Sequence, residues 1–217
     1  MFEKTVRKVW YWVCGWACRL FCIFFFNLRV YGKENVPRDG ATLLVSNHQS
    51  YLDPIFCGAS FTRNMHFLAR DSLFANWFFT WLISSLNAIP VKRDEADYSA
   101  MRKVISRLKE GEGVCLFPEA TRTRDGRIAS FKPGFGLLCR RGNAAIVPVM
   151  IDGAFECWPR FRKIFSPGSV VVCYGKAITV EEARGMGDKK LAETVTRTLR
   201  RMQTECRVKR GKKPYDY

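Results

Sequence analysis

Short apolar runs alternate with stretches of helical periodicity from Tyr31 onward, and this alternation constrains the fold more than any other feature. The runs have the length of buried strands, and they predict strands at residues 41–46, 65–69, 88–91, 114–117, 145–151 and 169–174. The stretches between them predict helices at 54–60, 77–86, 96–110 and 134–141, followed by a basic helix at 189–207. Strands that alternate with helices indicate an α/β domain. We expect a mostly parallel, partly mixed central sheet of about six to seven strands, flanked by helices.

The length of the chain suits a single domain with short appendages. It has 217 residues, and 47% of them are hydrophobic, which is enough to fill a core and excludes wholesale disorder. We divide it into an N-terminal hydrophobic and aromatic segment at 1–29, a domain at 30–208 and a polar tail at 209–217. The tail is expected to be frayed.

Residues 9–26 are apolar and aromatic, interrupted only by Arg19. As a helix these residues reach roughly 27 Å, which only just matches the thickness of a bilayer core. A signal peptide is one alternative, but no A-x-A-like cleavage site follows, and Trp16 and Arg19 fit poorly inside its apolar stretch. A core helix of the domain is another alternative, although so aromatic a segment would need a large groove to fill.

A membrane span is the remaining alternative for this segment. Basic residues flank both of its ends, so the charge bias gives no direction; they are Lys4, Arg7 and Lys8 before it and Arg29 and Lys33 after it. Its Trp and Tyr residues favour the headgroup boundary. We therefore favour a helix that lies in or dips into one leaflet, helped by anionic lipids, at the cytoplasmic face of the membrane.

The charge of the chain implies an anionic partner. Lys and Arg total 36 against 20 for Asp and Glu, which gives a formal charge of +16. Such a balance suits phospholipid headgroups, nucleic acid, or an acidic carrier or substrate, with a merely basic, soluble surface as the plain alternative. Nucleic acid is not expected, because Lys and Arg are spread along the chain and no helix-turn-helix, RNA-binding sheet signature or zinc finger occurs.

The nine cysteines point to a reducing compartment that faces the cytosol. No CxxC pair occurs, and neither histidine stands near cysteines at the spacing of zinc ligands, so no metal site is expected. Cys14, Cys18 and Cys22 recur every four residues and should lie along one side of a helix as small apolar side chains.

The segment NHQSYLDP directly follows the strand predicted at 41–46, where open α/β sheets place their sites. Its His48 and Asp53 are five residues apart, about 140° around a continuous helix, so they can meet only across a turn. Pro54 disfavours helical geometry at Asp53, which predicts Asp53 as a helix N-cap. Bent back, the Asp53 carboxylate could orient the imidazole and leave its other nitrogen free to take a proton. Each residue alone is more often structural.

Basic residues follow three further predicted strands. The segment FPEATRTR ends the strand at 114–117, and a Glu beside two Arg is ordinarily a surface ion pair. Next to His48, however, the cluster would bind a phosphate, because guanidinium groups match phosphate oxygens bidentately. Arg93 follows the strand at 88–91, and Arg70 follows that at 65–69. These four strand ends are predicted to form the rim of one pocket.

Four sequence blocks together resemble one enzyme family. NHQSYLD resembles the H-x4-D motif of the glycerolipid acyltransferases, the family of bacterial 1-acylglycerol-3-phosphate acyltransferases, and FPEATRT resembles their FPEGTRS block about seventy residues further on. NAIPVKR is similar to their intermediate block that ends in Arg, and IVPVMI to their fourth block, centred here on Pro148. The resemblance runs from about residue 30 to 178, in the family's order and spacing.

The resemblance implies a role for each matching residue. His48 would abstract the proton of the acceptor hydroxyl, whose oxygen attacks a thioester carbonyl directly, and Asp53 would hold His48. Arg93, Glu119 and Arg122 would bind or organise the acceptor's glycerol phosphate. No cofactor or metal is implied, because the thioester is already activated.

The resemblance indicates two more basic candidates, and the chain departs from the family's pattern at three positions. Arg70 stands where relatives often have a phosphate-binding Lys, and Lys132 in FKPGFG is a candidate for the same task. Ala120 replaces the usual Gly, and its methyl group disfavours positive φ. Thr123 replaces Ser, and Lys92 occupies a position that is often acidic.

The leading functional hypothesis is transfer of a fatty acyl group from acyl-CoA or acyl carrier protein to the sn-2 hydroxyl of 1-acylglycerol-3-phosphate (lysophosphatidic acid). The product would be phosphatidic acid, for phospholipid biosynthesis. Two alternatives remain open. One is the same chemistry on another lysophospholipid or an ornithine lipid, and the other is a non-catalytic, membrane-binding homologue.

Overall fold

The computed structural model describes residues 2–92 and 97–217. Arg93, predicted to bind phosphate, and Ala96, predicted to begin a helix, lie outside the described residues.

A seven-stranded sheet forms the centre of the described part of the chain, in the order β1-β7-β6-β2-β5-β3-β4. Neighbours from β6 to β4 pair in parallel, whereas β7 pairs antiparallel with β6 and parallel with β1. The predicted mostly parallel, partly mixed sheet is therefore confirmed. The strands are β1 (Arg29–Tyr31), β2 (Thr42–Ser46), β3 (Met65–Arg70), β4 (Ala88–Val91), β5 (Gly113–Leu116), β6 (Ala145–Asp152) and β7 (Val171–Tyr174).

Helices cover both faces of this sheet. They are α1 (Phe2–Phe26), α2 (Asp53–Ser60), α3 (Trp77–Ser85), α4 (Tyr98–Lys109), α5 (Phe135–Gly142), α6 (Ala154–Cys157), α7 (Val180–Met186) and α8 (Asp188–Lys209), with 3-10 turns at Lys33–Asn35 and Asp71–Phe74. The predicted elements of the domain occur with boundaries shifted by at most two residues, and α1 begins seven residues before the apolar segment at 9–26. Strand β1 and helices α6 and α7 were not predicted.

Two apolar cores lie on opposite sides of the sheet. One contains buried side chains of α4, α5, α7 and α8, and the other contains those of α2, α6 and the end of α1. Strand β2 serves both, since Leu43 and Val45 face the first core and Leu44 faces the second. Burial on both faces explains why the strands read as continuous apolar runs rather than alternating patterns.

Among the side chains of α1 that the structure describes, those at its end belong to the core. Cys22 and Phe26 are completely buried there, whereas Trp12 and Phe24 are mostly exposed. Residues Val9–Phe26 are long and apolar enough to cross a membrane by length and composition alone, and 11% of them are buried. Most of this apolar helix therefore lies outside the protein interior.

The C-terminal tail differs from its prediction. Tyr215 lies against the guanidinium group of Arg207, 4.1 Å from its Cζ, and the Tyr217 hydroxyl donates to the side chain of Gln203 on α8. The expectation of a frayed tail was wrong, because the tail's aromatic side chains have partners on a helix that precedes it in the chain.

Candidate active site

The imidazole of His48 meets the carboxylate of Asp53 in the loop that follows β2. His48 Nδ1 lies 2.7 Å from Asp53 Oδ2, and the backbone N–H groups of Gln49 and Ser50 donate to the same oxygen at 2.6 and 2.7 Å. Asp53 is completely buried. With Nδ1 engaged by a carboxylate, the imidazole presents Nε2 as the nitrogen that can take a proton.

The local backbone that achieves this contact differs from the predicted cap. Asp53 is the first residue of α2 and Leu52 is the N-cap, with no side-chain cap hydrogen bond. The Asp53 carboxylate turns back to the preceding loop instead of capping its own helix. Pro54 still falls in the first turn, where its missing N–H costs nothing.

The turn after β5 holds the backbone of His48 from the other side. Glu119 Oε1 accepts from the His48 N–H at 2.8 Å, and Oε2 accepts from the Ala129 N–H at 3.2 Å. The Thr123 N–H donates to the His48 carbonyl at 2.9 Å. Burial raises the pKa of Glu119 to about 7. Glu119 thus positions the loop of His48 with one carboxylate oxygen and holds the backbone at Ala129 with the other.

Phe117 fixes the orientation of the His48 ring. The two ring centroids lie 4.3 Å apart with an interplanar angle of 22°, which is a stacked arrangement. Because the ring is held by Asp53 at one edge and by Phe117 across its face, it has little freedom to rotate. The sequence gives no direct indication of this contact, although Phe117 ends a predicted strand beside the site.

Ala120 adopts a left-handed backbone despite its methyl group. Its φ is 58°, and its N–H donates to the carbonyl of Phe117 at 3.0 Å. A non-glycine residue in this region costs about 1–2 kcal/mol. The chain therefore keeps the turn geometry that glycine would adopt freely, and stores strain next to Glu119.

Arg122 offers an unoccupied donor beside this loop. Its Cζ lies 3.4 Å from the centroid of the Tyr51 ring, and its Nη1 is buried without a hydrogen-bond partner among the described residues. A buried guanidinium N–H without a partner is costly unless a ligand satisfies it. Tyr51 belongs to the same NHQSYLD block as His48, so the two blocks meet at this contact as well.

Comparison with known proteins identifies the family. A family model described as Acyltransferase matches residues 27–152, more than half of the chain, and contains both loops just described. The chain belongs to the acyltransferase family.

Relatives of this acyltransferase-family chain have consistent names. It is 29% identical over 182 residues to the chloroplastic 1-acyl-sn-glycerol-3-phosphate acyltransferase of Arabidopsis thaliana, covering 82% of this chain and 51% of that one. It is 26% identical over 190 residues to the 1-acyl-sn-glycerol-3-phosphate acyltransferase of Bacillus subtilis, covering 87% of this chain and 92% of that one. The chain thus spans about half the length of the plant relative.

A solved structure shares the fold. The crystal structure of the 1-acyl-sn-glycerophosphate acyltransferase PlsC from Thermotoga maritima superposes with a TM-score of 0.80 at 27% identity. The match covers 92% of this chain and 80% of that one. The similarity therefore extends well beyond the residues matched by the family model.

Two other predicted binding residues of this acyltransferase-family chain are exposed. Arg70 ends β3, which lies next to β5 in the sheet, so it stands at the same edge as His48 and Glu119. Lys132 has an exposed side chain, and its N–H donates to the carbonyl of Pro118 at 3.2 Å. The predicted phosphate-binding roles of both residues stay proposals.

A cationic cavity adjoins the Glu119 turn, with a volume of about 690 Å³. Its wall includes the arginines Arg122, Arg124, Arg127, Arg160 and Arg200. Arg127, Arg160 and Arg200 were not predicted as site residues, since none of them stands in a motif. Arg160 reaches the Thr121 hydroxyl at 3.5 Å, which links a distant loop to the FPEATRT turn.

An apolar groove of about 570 Å³ includes Pro54, the residue after Asp53, in its wall. It runs between α1 and α2, and its walls include Tyr11, Cys14, Cys18, Ile55 and Gly58. The two half-buried cysteines and the buried Cys22 thus face the domain along one side of α1, as their spacing predicts. The apolar groove thus begins at the start of α2, and the cationic cavity adjoins the Glu119 turn.

Proposed function

We propose that this chain is a 1-acylglycerol-3-phosphate acyltransferase, which transfers a fatty acyl group from acyl-CoA or acyl carrier protein to the sn-2 hydroxyl of lysophosphatidic acid. The product is phosphatidic acid. The observation that carries the proposal is the 2.7 Å contact between His48 and Asp53 beside the unpartnered donor of Arg122. The names of the relatives from Bacillus subtilis and Arabidopsis thaliana support the choice of acceptor.

In the proposed reaction His48 acts as the general base. Its Nε2 takes the proton of the acceptor hydroxyl while the hydroxyl oxygen forms a bond to the thioester carbonyl carbon. The carbon–sulfur bond then breaks, and the imidazolium returns the proton to the departing thiolate. Asp53 stabilises the imidazolium and keeps the tautomer in which Nε2 is free. No side chain needs to carry the acyl group.

The basic residues of the site are proposed to bind the phosphate of the acceptor. Arg122 has the buried N–H group that a phosphate oxygen would satisfy, and Tyr51 holds its guanidinium plane. Arg70 and Lys132 are proposed as further phosphate contacts, and the sequence prediction for Arg93 stays a proposal. Glu119 organises this site through the backbone of His48, because its oxygens already accept two N–H groups.

The N-terminal segment, residues 1–29, is proposed to bind the cytoplasmic face of the membrane, with the catalytic domain at 30–208 and the C-terminal segment at 209–217. The exposure of Trp12, Trp16 and Phe24 supports this placement. Their aromatic rings suit the headgroup boundary, and the charge of +16 favours an anionic membrane surface. An enzyme whose acceptor and product are both lipids would gain from this position.

Substitution of His48 by Ala tests the reaction. Acyl transfer should fall at least about a hundredfold, the usual contribution of a general base. His66→Ala is the matched control, since His66 is equally buried but lies on β3, and it should stay within a few-fold of the parent. Activity that survives His48→Ala would show that the base is another group.

Arg122→Ala tests the acceptor. The KM for lysophosphatidic acid should rise far more than the KM for the acyl thioester, because only the acceptor's phosphate faces the lost donor. Arg102→Ala, an exposed change on α4, is the control. A panel of lysolipids with the parent protein decides the acceptor: faster transfer to an ornithine lipid or another lysophospholipid would overturn the choice of lysophosphatidic acid.

A further inference from the structure

Helix α3 exposes an aromatic surface that the reaction does not use. Trp77 is 81% exposed, and Phe78, Phe79 and Trp81 on the same helix are 42–52% exposed. The proposed catalytic groups all lie on other elements. Contiguous apolar surface of this kind marks a site of interaction rather than a face that meets water.

This surface continues directly into the exposed side of α1. The ring of Trp10 lies 5.5 Å from that of Trp81, and Trp10 Nε1 donates to the Ser85 hydroxyl at 2.9 Å. Tyr11 ties the same turn of α1 to the backbone of Met65 on β3. The N-terminal half of α1 is therefore joined to α3 in one aromatic face, and any partner of α1 is a neighbour of α3.

The composition of the face indicates a lipid leaflet as its partner. The residues are Trp and Phe, which favour the boundary between headgroups and acyl chains. The exposed cations Arg70 and Lys92 bracket the segment that contains α3, at the ends of β3 and β4. Cations at the border of an aromatic face suit anionic headgroups.

We propose that α3 is a second membrane-inserting element, which enters the same leaflet as α1. The inference rests on the membrane association proposed above and deepens it. Two inserted helices fix the rotation of the domain, whereas a single helix would let it turn about the helix axis. The segment before α3 leaves β3 at Arg70, on the sheet edge that carries His48, so insertion holds this edge near the lipid headgroups.

The test measures partition of the full chain onto vesicles of phosphatidylglycerol and phosphatidylcholine. The double variant Trp77→Ser/Phe78→Ser should bind at least tenfold more weakly than the parent. Trp77→Leu/Phe78→Leu should bind within about threefold, since leucine retains apolar surface. Tyr98→Ser/Val208→Ser, two exposed changes on α4 and α8, is the control and should bind within twofold.

Three results would overturn the proposal. The serine variant could bind as the parent does, the leucine variant could lose as much as the serine variant, or the control could lose equally. Acyl transfer to lysolipid dispersed in detergent is measured in parallel and should stay within twofold in all variants. If the parent protein showed no acyl transfer, the enzyme assignment would be refuted while the vesicle-binding result would still hold. Failure of the proposed function is therefore distinguishable from failure of the membrane-insertion proposal.

Discussion

The N-terminal helix and the C-terminal segment have opposite compositions and opposite relations to the domain. Helix α1 is apolar, yet most of it lies outside the core, and only its last turns are buried. Residues 209–217 are polar, yet Tyr215 and Tyr217 lie against side chains of the domain.

The C-terminal end of the chain is held by a buried acid on β6. Asp152 is completely buried, and its two oxygens accept from Arg207 and Arg210 at 3.0 Å each, with Gln203 at 3.3 Å. The charges of α8 thus have partners inside the protein. Among the described contacts, helix α1 is tied to the domain by the neutral hydrogen bonds of Trp10 and Tyr11 rather than by a buried ion pair. The difference indicates that composition alone does not predict whether a segment packs on the domain, because packing depends on the partners that the segment meets.

The largest effect is expected from Asp152→Ala. Removing the acid leaves two guanidinium groups partly buried without their counter-charge, and the free energy of unfolding should fall by about 3–5 kcal/mol. Glu205→Ala removes the exposed partner of Arg201 on the same helix and should change it by about 0.5 kcal/mol or less. Urea unfolding of both variants is the measurement. Equal effects would mean that the tail is not held by buried charge.

Phe26→Ala tests the short part of α1 that does belong to the domain. The ring is completely buried and lies 5.3 Å from that of Phe56, so its loss should cost about 3 kcal/mol. Phe24→Ala, two residues earlier, should cost almost nothing in detergent solution because that ring is 81% exposed. Thermal unfolding in detergent compares the two. A large loss for Phe24→Ala would show that the exposed face of α1 packs on protein.

The sheet was largely predictable because its central strands are buried on both faces. Such strands are short and continuously apolar, and six of them were placed from the sequence within two residues. Strand β1 was missed because its three residues are not an apolar run, and its structure depends on pairing with β7, about 140 residues away in the chain. The sequence around β1 does not indicate that pairing, because strand formation depends on the neighbouring strands.

The site was predictable where one loop supplies both partners. His48 and Asp53 are joined by a tight turn, which the proline indicated, although the helix begins one residue earlier than the cap prediction required. The role of Glu119 was not predictable in detail, since its acceptance of the His48 N–H depends on β5 lying beside β2. Arg200 on α8 and Tyr217 in the docked tail line the cationic cavity, and the sequence gives no local indication of either contact because both depend on how the C-terminal elements pack.

Tyr217→Phe tests how much the last hydroxyl of the tail contributes to its attachment. Its hydroxyl donates to Gln203 and accepts from the Ile128 N–H at 3.1 Å, and burial raises its pKa to about 12, so the hydroxyl stays protonated. Loss of these bonds should cost about 1 kcal/mol. Tyr98→Phe, at an exposed position, should cost far less. Hydrogen exchange at residues 126–130 should rise only in the first variant; equal exchange in both would indicate a loosely attached tail.

Acid should loosen the tail slightly and leave α1 unaffected. Burial acts to raise the pKa of Glu156, but hydrogen bonds and the charges of Lys212 and Arg207 outweigh it and hold the pKa below its ordinary value of 4.5. The ionised group therefore stabilises the fold above pH 4.5, and this contribution is lost as the pH falls through the lower, folded value. Because the Glu156 side chain is 42% exposed, screening limits the effect to about 0.5 kcal/mol.

The measurement is hydrogen exchange of residues 207–217 at pH 7 and pH 4, after correction for the intrinsic exchange rate. Protection should fall slightly in the parent chain and not in Glu156→Gln, which has no charge to lose. Residues 22–26 of α1 serve as the internal control, because residues 9–26 contain no carboxylate. If acid released this end of α1 as readily as the tail, charge would not be what separates the two termini, and the contrast between them would need another cause.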